Sequence, residues 1–498
     1  MPCQDNLPET SDESCPETAD KSCLAAAETN IQDRIRNHNP LQWNGCRTII
    51  EKETLMDLLK DDIKPLYFKY LAASFGSTLI MSIYALVDTI VIGHYEGPDG
   101  TAAVAAITPL WTVMFAFGLM FGIGGSVLMA QNRGAGDEEK ARRFFTSSVF
   151  AAITVAALLT VLYLVFLPQL IRFCGARGHV LTLGCRYMRW IAATLPSFLI
   201  AQALVPFIRS DGSPLHATYS VMAGGIFNVF GDLFFVFGLD MGISGAGLAT
   251  AIGELISFTC LVSYFFRKKC RLRLAHPGRY VFSYIKKIFQ VGISNFVIDL
   301  AMGILNVMFN NQVMALLDSS ALAVYGVISN LATNVQTFGY AIGESAQSIY
   351  STNFGARQHK RTQEAFRLAA SAAFLVGAIC LVLTECVPFL IVRIYMSATP
   401  QVLQIAPRVL RTYGIAFIFL VFNVSSTYYF QAIAKPAVSL SISLARGFVL
   451  SGILVYLLPL VFGAGSLWTC VPITEFVVFL YVNFRLKQSG ITLFSRSR

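Results

Sequence analysis

Long apolar stretches alternate with short polar segments along most of the chain. From residue 65 onward, runs of about 20–30 residues are nearly free of charge, and the charged residues gather between these runs. A helix of about 20 apolar residues crosses the hydrocarbon core of a bilayer, and lipid offers no partners for backbone polar groups, so such runs must be helical. The pattern predicts about twelve transmembrane helices, at 66–92, 101–131, 144–168, 187–209, 215–238, 243–266, 284–310, 320–352, 364–396, 403–434, 437–462 and 466–485.

Composition supports an all-α polytopic membrane protein. It also argues against nucleic acid as a partner, although the chain is basic. Hydrophobic residues make up 55% of the 498 residues and charged residues 13%, against about 25% in soluble domains. The net charge is +9, but residues 1–64 hold 13 acidic and 7 basic side chains, so the positive excess lies beside the predicted spans. Residues 1–64 have no basic start followed by an apolar core, which favours a disordered cytoplasmic tail over a signal peptide.

Lysine and arginine are concentrated in alternate loops, which predicts the orientation in the membrane. They cluster after the second, sixth and eighth spans and at the C-terminus. The loop near 169–187 is an exception, because it carries Arg172, Arg177 and Arg186. The opposite loops have neither residue type, near 93–101, 239–242, 311–319 and 463–465. The sum predicts a multi-pass protein of the plasma membrane with both termini in the cytoplasm.

The two halves of the chain repeat each other at an offset of 221 residues. The matched positions of the first half are Ala102, Ile107, Thr112, Phe117, Gly118, Gly122, Asn132, Gly134, Ala135 and Phe145. Chance similarity between apolar helices is the alternative, but an Asn-x-Gly-Ala string that follows matched glycines argues against it. A parallel repeat predicts two pseudo-symmetric six-helix lobes around a central cavity. The lobes would be 65–266 and 284–486, joined by a cytoplasmic linker at 267–283 and followed by a basic tail at 487–498.

Polar residues within the first-half spans are the main functional candidates. A charged side chain at the centre of a transmembrane helix costs about 2.5–3.5 kcal/mol on insertion scales. Asp88, Asp232 and Thr250 are expected at similar depth in the outer third of the bilayer. Asn228 lies four residues before Asp232 and therefore shares its helix face. Two carboxylates, an amide and a hydroxyl could bind a proton or a sodium ion. The alternative is that these groups are hydrogen-bonded contacts between helices.

The repeat does not duplicate these polar groups. At the offset of 221 Asp88 aligns with Phe309, and after a one-residue slip that pairs Pro214 with Pro436, Asp232 aligns with Leu454. A packing role would not require that asymmetry, whereas an ion site in one lobe would.

A second group of residues is predicted to line a substrate cavity. Acidic side chains there would attract cationic compounds, and aromatic side chains would stack on flat ones. Packing between helices or against lipid is the alternative for each of them. The candidates are Glu254, Asp299, Glu344, Phe117, Phe227, Phe338 and Tyr340.

Nothing in the sequence indicates an enzyme or a bound cofactor. The eleven cysteines show neither CxxC nor metal spacing, and neither HExxH nor DDxxD occurs. The expected partners are small organic substrates and the lipid bilayer, with no nucleic acid, and the protein is expected to be a monomer.

Three stretches resemble the multidrug and toxic compound extrusion (MATE) family. They are residues 87–93 (VDTIVIG), 131–136 (QNRGAG) with an echo at 353–356 (NFGA), and 228–232 (NVFGD) with 245–250 (GAGLAT). The resemblance implies two six-helix lobes that form a V-shaped cavity. It also implies a secondary antiporter that exports drugs or other amphipathic, often cationic, compounds in exchange for H⁺ or Na⁺. Relatives with an acidic first lobe use the positions of Asp88, Asn228, Asp232 and Thr250 for coupling, and Na⁺ would bind there.

Two features qualify this resemblance. That branch of the family often has a proline inside the first helix, whereas residues 71–74 here are LAAS and Pro65 lies only at the start. Bending of the first helix at a proline is therefore not expected. The alternative function is a flippase for a lipid-linked or polysaccharide precursor, which an arginine-rich cavity would favour, and the first-half spans have almost no arginine.

Overall fold

The computed structural model describes residues 57–395 and 399–491, except the side chain of Ser319. Within these ranges all regular structure is helical. Short 3-10 or π-helical turns occur at Leu233–Gly238, Tyr264–Phe266, Ala445–Val449 and Ala464–Thr469. The α-helices are Ile63–Gly134, Glu138–Phe173, Gly178–Ser210, Pro214–Asp232, Ile243–Ser263, Tyr280–Leu316, Ser319–Gly355, His359–Cys386, Pro388–Tyr395, Pro400–Gly414, Ala416–Ala432, Pro436–Leu444, Leu450–Phe462 and Cys470–Gln488. The predicted polar tail lies almost entirely outside the described residues.

These helices form the predicted twelve membrane spans. Across the described ranges, nine helices are long and apolar enough to span a membrane, or ten if Pro400–Gly414 and Ala416–Ala432 count as one bent span. The 72-residue helix Ile63–Gly134 contains two spans, because Gly97 has a φ of 67° and interrupts it just before Pro98. The eighth span, Ser319–Gly355, is 37 residues long but carries more polar side chains. The spans are numbered below in chain order.

Two hydrophobic cores divide the spans into two lobes. The first core consists mainly of spans one to six, with Phe145 and Phe207 among its fully buried side chains. The second consists mainly of spans seven to twelve, around Phe417 and Phe422. Burying large aromatic side chains dominates the packing energy of such cores. The sequence repeat therefore corresponds to two separately packed lobes.

The first and seventh spans each begin in the core of the opposite lobe. Tyr67 belongs to the core of the second lobe, and Ile288, which is 221 residues later, belongs to the core of the first. Aromatic pairs follow the same exchange. The ring centroids of Phe75 and Phe338 are 5.8 Å apart, and those of their repeat counterparts Phe296 and Phe117 are 5.0 Å apart. The repeat is thus preserved in the contacts that join the lobes.

The lobes meet closely at the face that carries Arg133, Arg271 and Arg361, called here the basic face. A Cβ atom added to Gly355 would lie 1.9 Å from the carbonyl oxygen of Gln131, and one added to Gly134 would lie 2.1 Å from that of Thr352. Since only glycine permits so close an approach of two backbones, these paired glycines let the second and eighth spans touch near the basic face.

Toward the opposite face the second and eighth spans carry exposed polar side chains. Thr108 on the second span and Asn330, Thr333 and Asn334 on the eighth are exposed. Thr108 and Thr333 donate their hydroxyl hydrogen bonds to carbonyl groups of their own helices. The lobes are therefore packed together at the basic face, while polar side chains of the two central spans lie open farther from it.

Candidate functional site

A chain of hydrogen bonds joins four spans inside the first lobe. The hydroxyl of Tyr187 donates to Oδ2 of Asp88 at 2.9 Å. The same hydroxyl lies 3.4 Å from Oγ1 of Thr250, which accepts a hydrogen bond from Nδ2 of Asn228 at 3.0 Å. The first, fourth, fifth and sixth spans thus each contribute one polar side chain to a single buried cluster.

Asp232 completes this cluster without making a hydrogen bond to it. Its side chain is fully buried, and its carboxyl group interacts electrostatically with that of Asp88. Among the described residues, neither of its carboxylate oxygens has a hydrogen-bond partner, and Oδ1 of Asp88 and Oδ1 of Asn228 also lack one. Ionised carboxylates are acceptors only, so a proton, a cation or a bound water is needed to satisfy these oxygens.

Glycines bring the spans of the cluster close enough for these contacts. A Cβ atom added to Gly247 would lie 2.5 Å from the carbonyl oxygen of Tyr187, and one added to Gly224 would lie 2.4 Å from that of Gly253. The sixth span therefore packs against the backbones of both the fourth and the fifth. This close packing allows the Tyr187 hydroxyl to reach Thr250 across the helix interface.

The structure brings together all four residues proposed for cation coupling, and it adds Tyr187. The role of Asp88, Asn228, Asp232 and Thr250 in coupling stays a prediction. Tyr187 was missed because nothing in its local sequence separates it from the many tyrosines and phenylalanines of the spans. The available signal was general, namely that a buried tyrosine hydroxyl normally finds a hydrogen-bond partner.

The three acidic residues proposed for the substrate cavity lie in different surroundings. Glu254 is half-buried and lines a cavity inside the first lobe. Asp299 on the seventh span accepts a hydrogen bond from the hydroxyl of Tyr340 at 2.9 Å. Glu344 on the eighth span forms an ion pair with Arg209 of the fourth, and this pair joins the two lobes.

The aromatic residues proposed for the substrate cavity also lie in different parts of the protein. Phe117 and Phe338 lie at the junction of the lobes, through the pairs with Phe296 and Phe75 described above. Phe227 lies beside Gly231 within the first lobe, where a Cβ atom on that glycine would be 3.4 Å from its ring. Whether any of them contacts a substrate stays a prediction.

The second lobe has a buried acid of a different kind. Glu475 on the twelfth span forms an ion pair with Arg446 at 2.7 Å and accepts a hydrogen bond from Nδ2 of Asn423 at 2.7 Å. Its charge is therefore balanced by a neighbouring base. Over the described ranges, no group of three or more His, Cys, Asp and Glu side chains is arranged to hold a metal ion.

Twelve spans in two repeated lobes, with a buried acidic cluster in one of them, define a polytopic membrane transporter. The MatE family model matches residues 73–234 and 293–457, which together cover more than half of the chain. The chain therefore belongs to the MatE family.

Individual relatives agree with this family. The chain is 24% identical over 425 residues to "Multidrug export protein MepA" of Staphylococcus haemolyticus (strain JCSC1435), covering 82% of this chain and 91% of that protein. It is 24% identical over 309 residues to the protein of the same name from Staphylococcus aureus (strain MSSA476), covering 61% of this chain and 67% of that protein.

Solved structures share the fold. One, described as an outward-facing conformation of a multidrug resistance MATE family transporter of the MOP superfamily, superposes with a TM-score of 0.80 at 20% identity, over 88% of this chain and 100% of its own. A MOP superfamily transporter from Pyrococcus furiosus Vc1 gives a TM-score of 0.79 at 20% identity, over the same shares of the two chains. At this identity the likeness establishes the two-lobed fold alone.

Proposed function

We propose that the protein is a secondary antiporter that exports drugs or other amphipathic organic cations in exchange for H⁺ or Na⁺. The observation that carries this proposal is the buried carboxylate of Asp232, which has no hydrogen-bond partner among the described residues and interacts electrostatically with Asp88. Two such acids in a low-dielectric interior cannot both stay charged without a bound cation. The names of the relatives, which are multidrug export proteins, support the substrate class.

Binding of the cation would change the charge of the cluster and thereby its preferred packing. The cluster joins the first, fourth, fifth and sixth spans, so a change there acts on the arrangement of the whole lobe. A ligand shifts a conformational equilibrium only by its difference in affinity for the two states. The cation and the substrate would therefore favour opposite arrangements of the lobes, and this opposition couples their movements.

The basic face is proposed to be cytoplasmic, because short loops rich in lysine and arginine stay on that side. The glycine contacts between the second and eighth spans close the lobes there. This arrangement would leave the central cavity open to the outside, as expected for the state that releases substrate and accepts the cation.

Substrates are proposed to bind between the lobes, near Phe117, Phe338 and Asp299. The aromatic rings offer stacking surfaces and Asp299 a negative charge near the centre of the seventh span. Glu344 would attract cations less strongly than Asp299, because Arg209 balances its charge.

The flippase alternative is less well supported. A negatively charged precursor would need arginines that are available to bind it. The buried arginines Arg209 and Arg446 are paired with Glu344 and Glu475 in the described part of the chain. Their charges are therefore already balanced.

The test is transport by the purified protein in vesicles. Asp232→Asn should abolish export of a fluorescent aromatic cation, such as ethidium, driven by a pH or sodium gradient. Asp240→Asn is a matched control, because Asp240 is exposed just after the fifth span and its carboxylate accepts a hydrogen bond from the Tyr95 hydroxyl. Normal gradient-driven export by Asp232→Asn would remove the coupling proposal.

A further inference from the structure

A small cavity lies between the first, fourth, fifth and sixth spans. Asn228 and Thr250 line it, so it begins at the acidic cluster described above. Glu254 is the one charged residue among the described residues that line it, and no lysine or arginine lies in its wall. The cavity is therefore lined by residues of the first lobe and adjoins the proposed cation site.

The cavity extends from the cluster toward the basic face. Along the sixth span, which runs toward that face, Glu254, Ser257 and Leu261 follow Thr250. Eleven helical residues from Thr250 to Leu261 correspond to about 16 Å along the helix axis. On the first span, which runs in the opposite direction, Tyr84 lies one helical turn nearer to the basic face than Asp88.

Glu254 has oxygen neighbours but no basic partner in this cavity. The Tyr84 side chain lines the same cavity and interacts with its carboxyl group. Oδ1 of Asn228, a residue that is 2% exposed, has no hydrogen-bond partner among the described residues and lies at the junction of cavity and cluster. An acid near the centre of a membrane span, without a balancing base, needs a proton or a cation.

We propose that this cavity is a second station for the coupling cation, and that the cation passes from the Asp88–Asp232 cluster to Glu254 on its way to the basic face. Asn228 and Thr250 belong to the cluster and also line the cavity, so the cation would pass between the two stations along their side chains. This inference rests on the proposed antiport function and extends it, because it assigns Glu254 to the cation path instead of to the substrate. The ligand is a monovalent cation, either H⁺ or Na⁺.

The alternative is that Glu254 and Tyr84 form only a structural contact between the first and sixth spans. The two readings differ in which transport mode they affect. Gradient-driven export needs the cation to cross the protein, whereas exchange of substrate for substrate does not. A damaged cation path therefore slows the first process and spares the second, while a damaged helix contact weakens both.

The experiment uses the full chain in vesicles and compares gradient-driven ethidium export with ethidium exchange at equal cation concentrations. Glu254→Gln should slow gradient-driven export about ten-fold and leave exchange within about two-fold of the unmodified protein. Glu254→Asp, which keeps the carboxylate, should recover much of the export rate. Separate pH-gradient and sodium-gradient arms identify which cation uses the station.

Two results would overturn the station. One is a normal rate of gradient-driven export by Glu254→Gln together with defective export by Asp232→Asn. That result would support the antiport function and remove only the second station. The other is an equal loss of export and exchange in both Glu254 variants, which identifies a structural contact. If Asp232→Asn exports normally, the antiport function itself has failed.

Tyr84→Phe provides a second variant in case Glu254→Gln does not fold. It removes only the hydroxyl that interacts with Glu254 and keeps the ring. A smaller, selective loss of gradient-driven export is expected, and an unchanged export rate in this variant would count against the station. Tyr163→Phe is the matched control, because its buried hydroxyl donates to the Leu110 carbonyl elsewhere in the same lobe.

Discussion

The two lobes share a repeated scaffold, but Glu475 in the second lobe and Asp232 in the first lie in different surroundings. In the second lobe, Glu475 has an ion pair with Arg446 and a hydrogen bond from Asn423. In the first lobe, Asp232 has no partner and Asp88 has only one of its oxygens satisfied, within the described part of the chain. The comparison separates an acid that stabilises a lobe from an acid that is available to a moving cation, because only the second kind has its charge left to be balanced.

The largest effect is expected from breaking the balanced pair. Arg446→Met should lower the free energy of unfolding by about 3–5 kcal/mol, because it leaves the charge of Glu475 buried and uncompensated. Thermal unfolding in detergent measures this loss. The double variant Arg446→Met/Glu475→Met should recover most of it, and a double variant as unstable as the single one would contradict the explanation.

Replacing Asp232, the acid without a balancing base, should change the stability in the opposite direction. Asp232→Leu should raise the free energy of unfolding by about 1–3 kcal/mol, because it removes a buried polar group that lacks a partner. The same variant should lose gradient-driven export. A protein that becomes less stable would show that Asp232 supports the fold, and the contrast between the lobes would disappear.

A smaller effect is expected at the residue that connects Asp88 to the cluster. Tyr187→Phe removes one hydrogen bond, which is typically worth about 0.5–1.5 kcal/mol. Gradient-driven export should therefore slow by about two- to ten-fold, with the protein still folded. Tyr163→Phe, which loses a similar buried hydroxyl outside the cluster, should export at the normal rate.

The smallest effect is expected at an exposed ion pair of the second lobe. Nε of Arg411 lies 3.8 Å from Oε2 of Glu385, and both side chains are largely exposed. Glu385→Gln should change the free energy of unfolding by less than about 1 kcal/mol, because solvent screens such pairs. A large loss in thermal unfolding would mean that burial does not explain the difference between the two lobes.

Much of the fold follows from local patterns. Apolar runs predicted the spans, because a span must form all its backbone hydrogen bonds within itself when lipid surrounds it. They also predicted the first two spans, which join end to end and are separated by the kink at Gly97. The repeat predicted two lobes. The exchange of Tyr67 and Ile288 between the cores could not be predicted, because it depends on how whole lobes pack.

The candidate site was only partly predictable. Polar residues are conspicuous in apolar spans, so Asp88, Asn228, Asp232 and Thr250 could be selected from the sequence alone. Sequence could not separate Glu344, which pairs with Arg209 across the lobes, from Glu254, which faces a cavity. Both are single acids in apolar stretches of sequence. Glu344 is distinguished by Arg209, which is more than one hundred positions away in the chain, and Glu254 is distinguished by the cavity beside it.

The sequence by itself determined that this is a membrane protein of twelve spans in two repeats, with polar groups unique to the first. The lipid imposes these features residue by residue, since every span must be apolar and helical wherever the rest of the chain lies. Only the tertiary structure decided which acids are balanced. An electrostatic or hydrogen-bonding partner is defined by distance in space, and the partners of Asp88 and Glu344 come from distant spans.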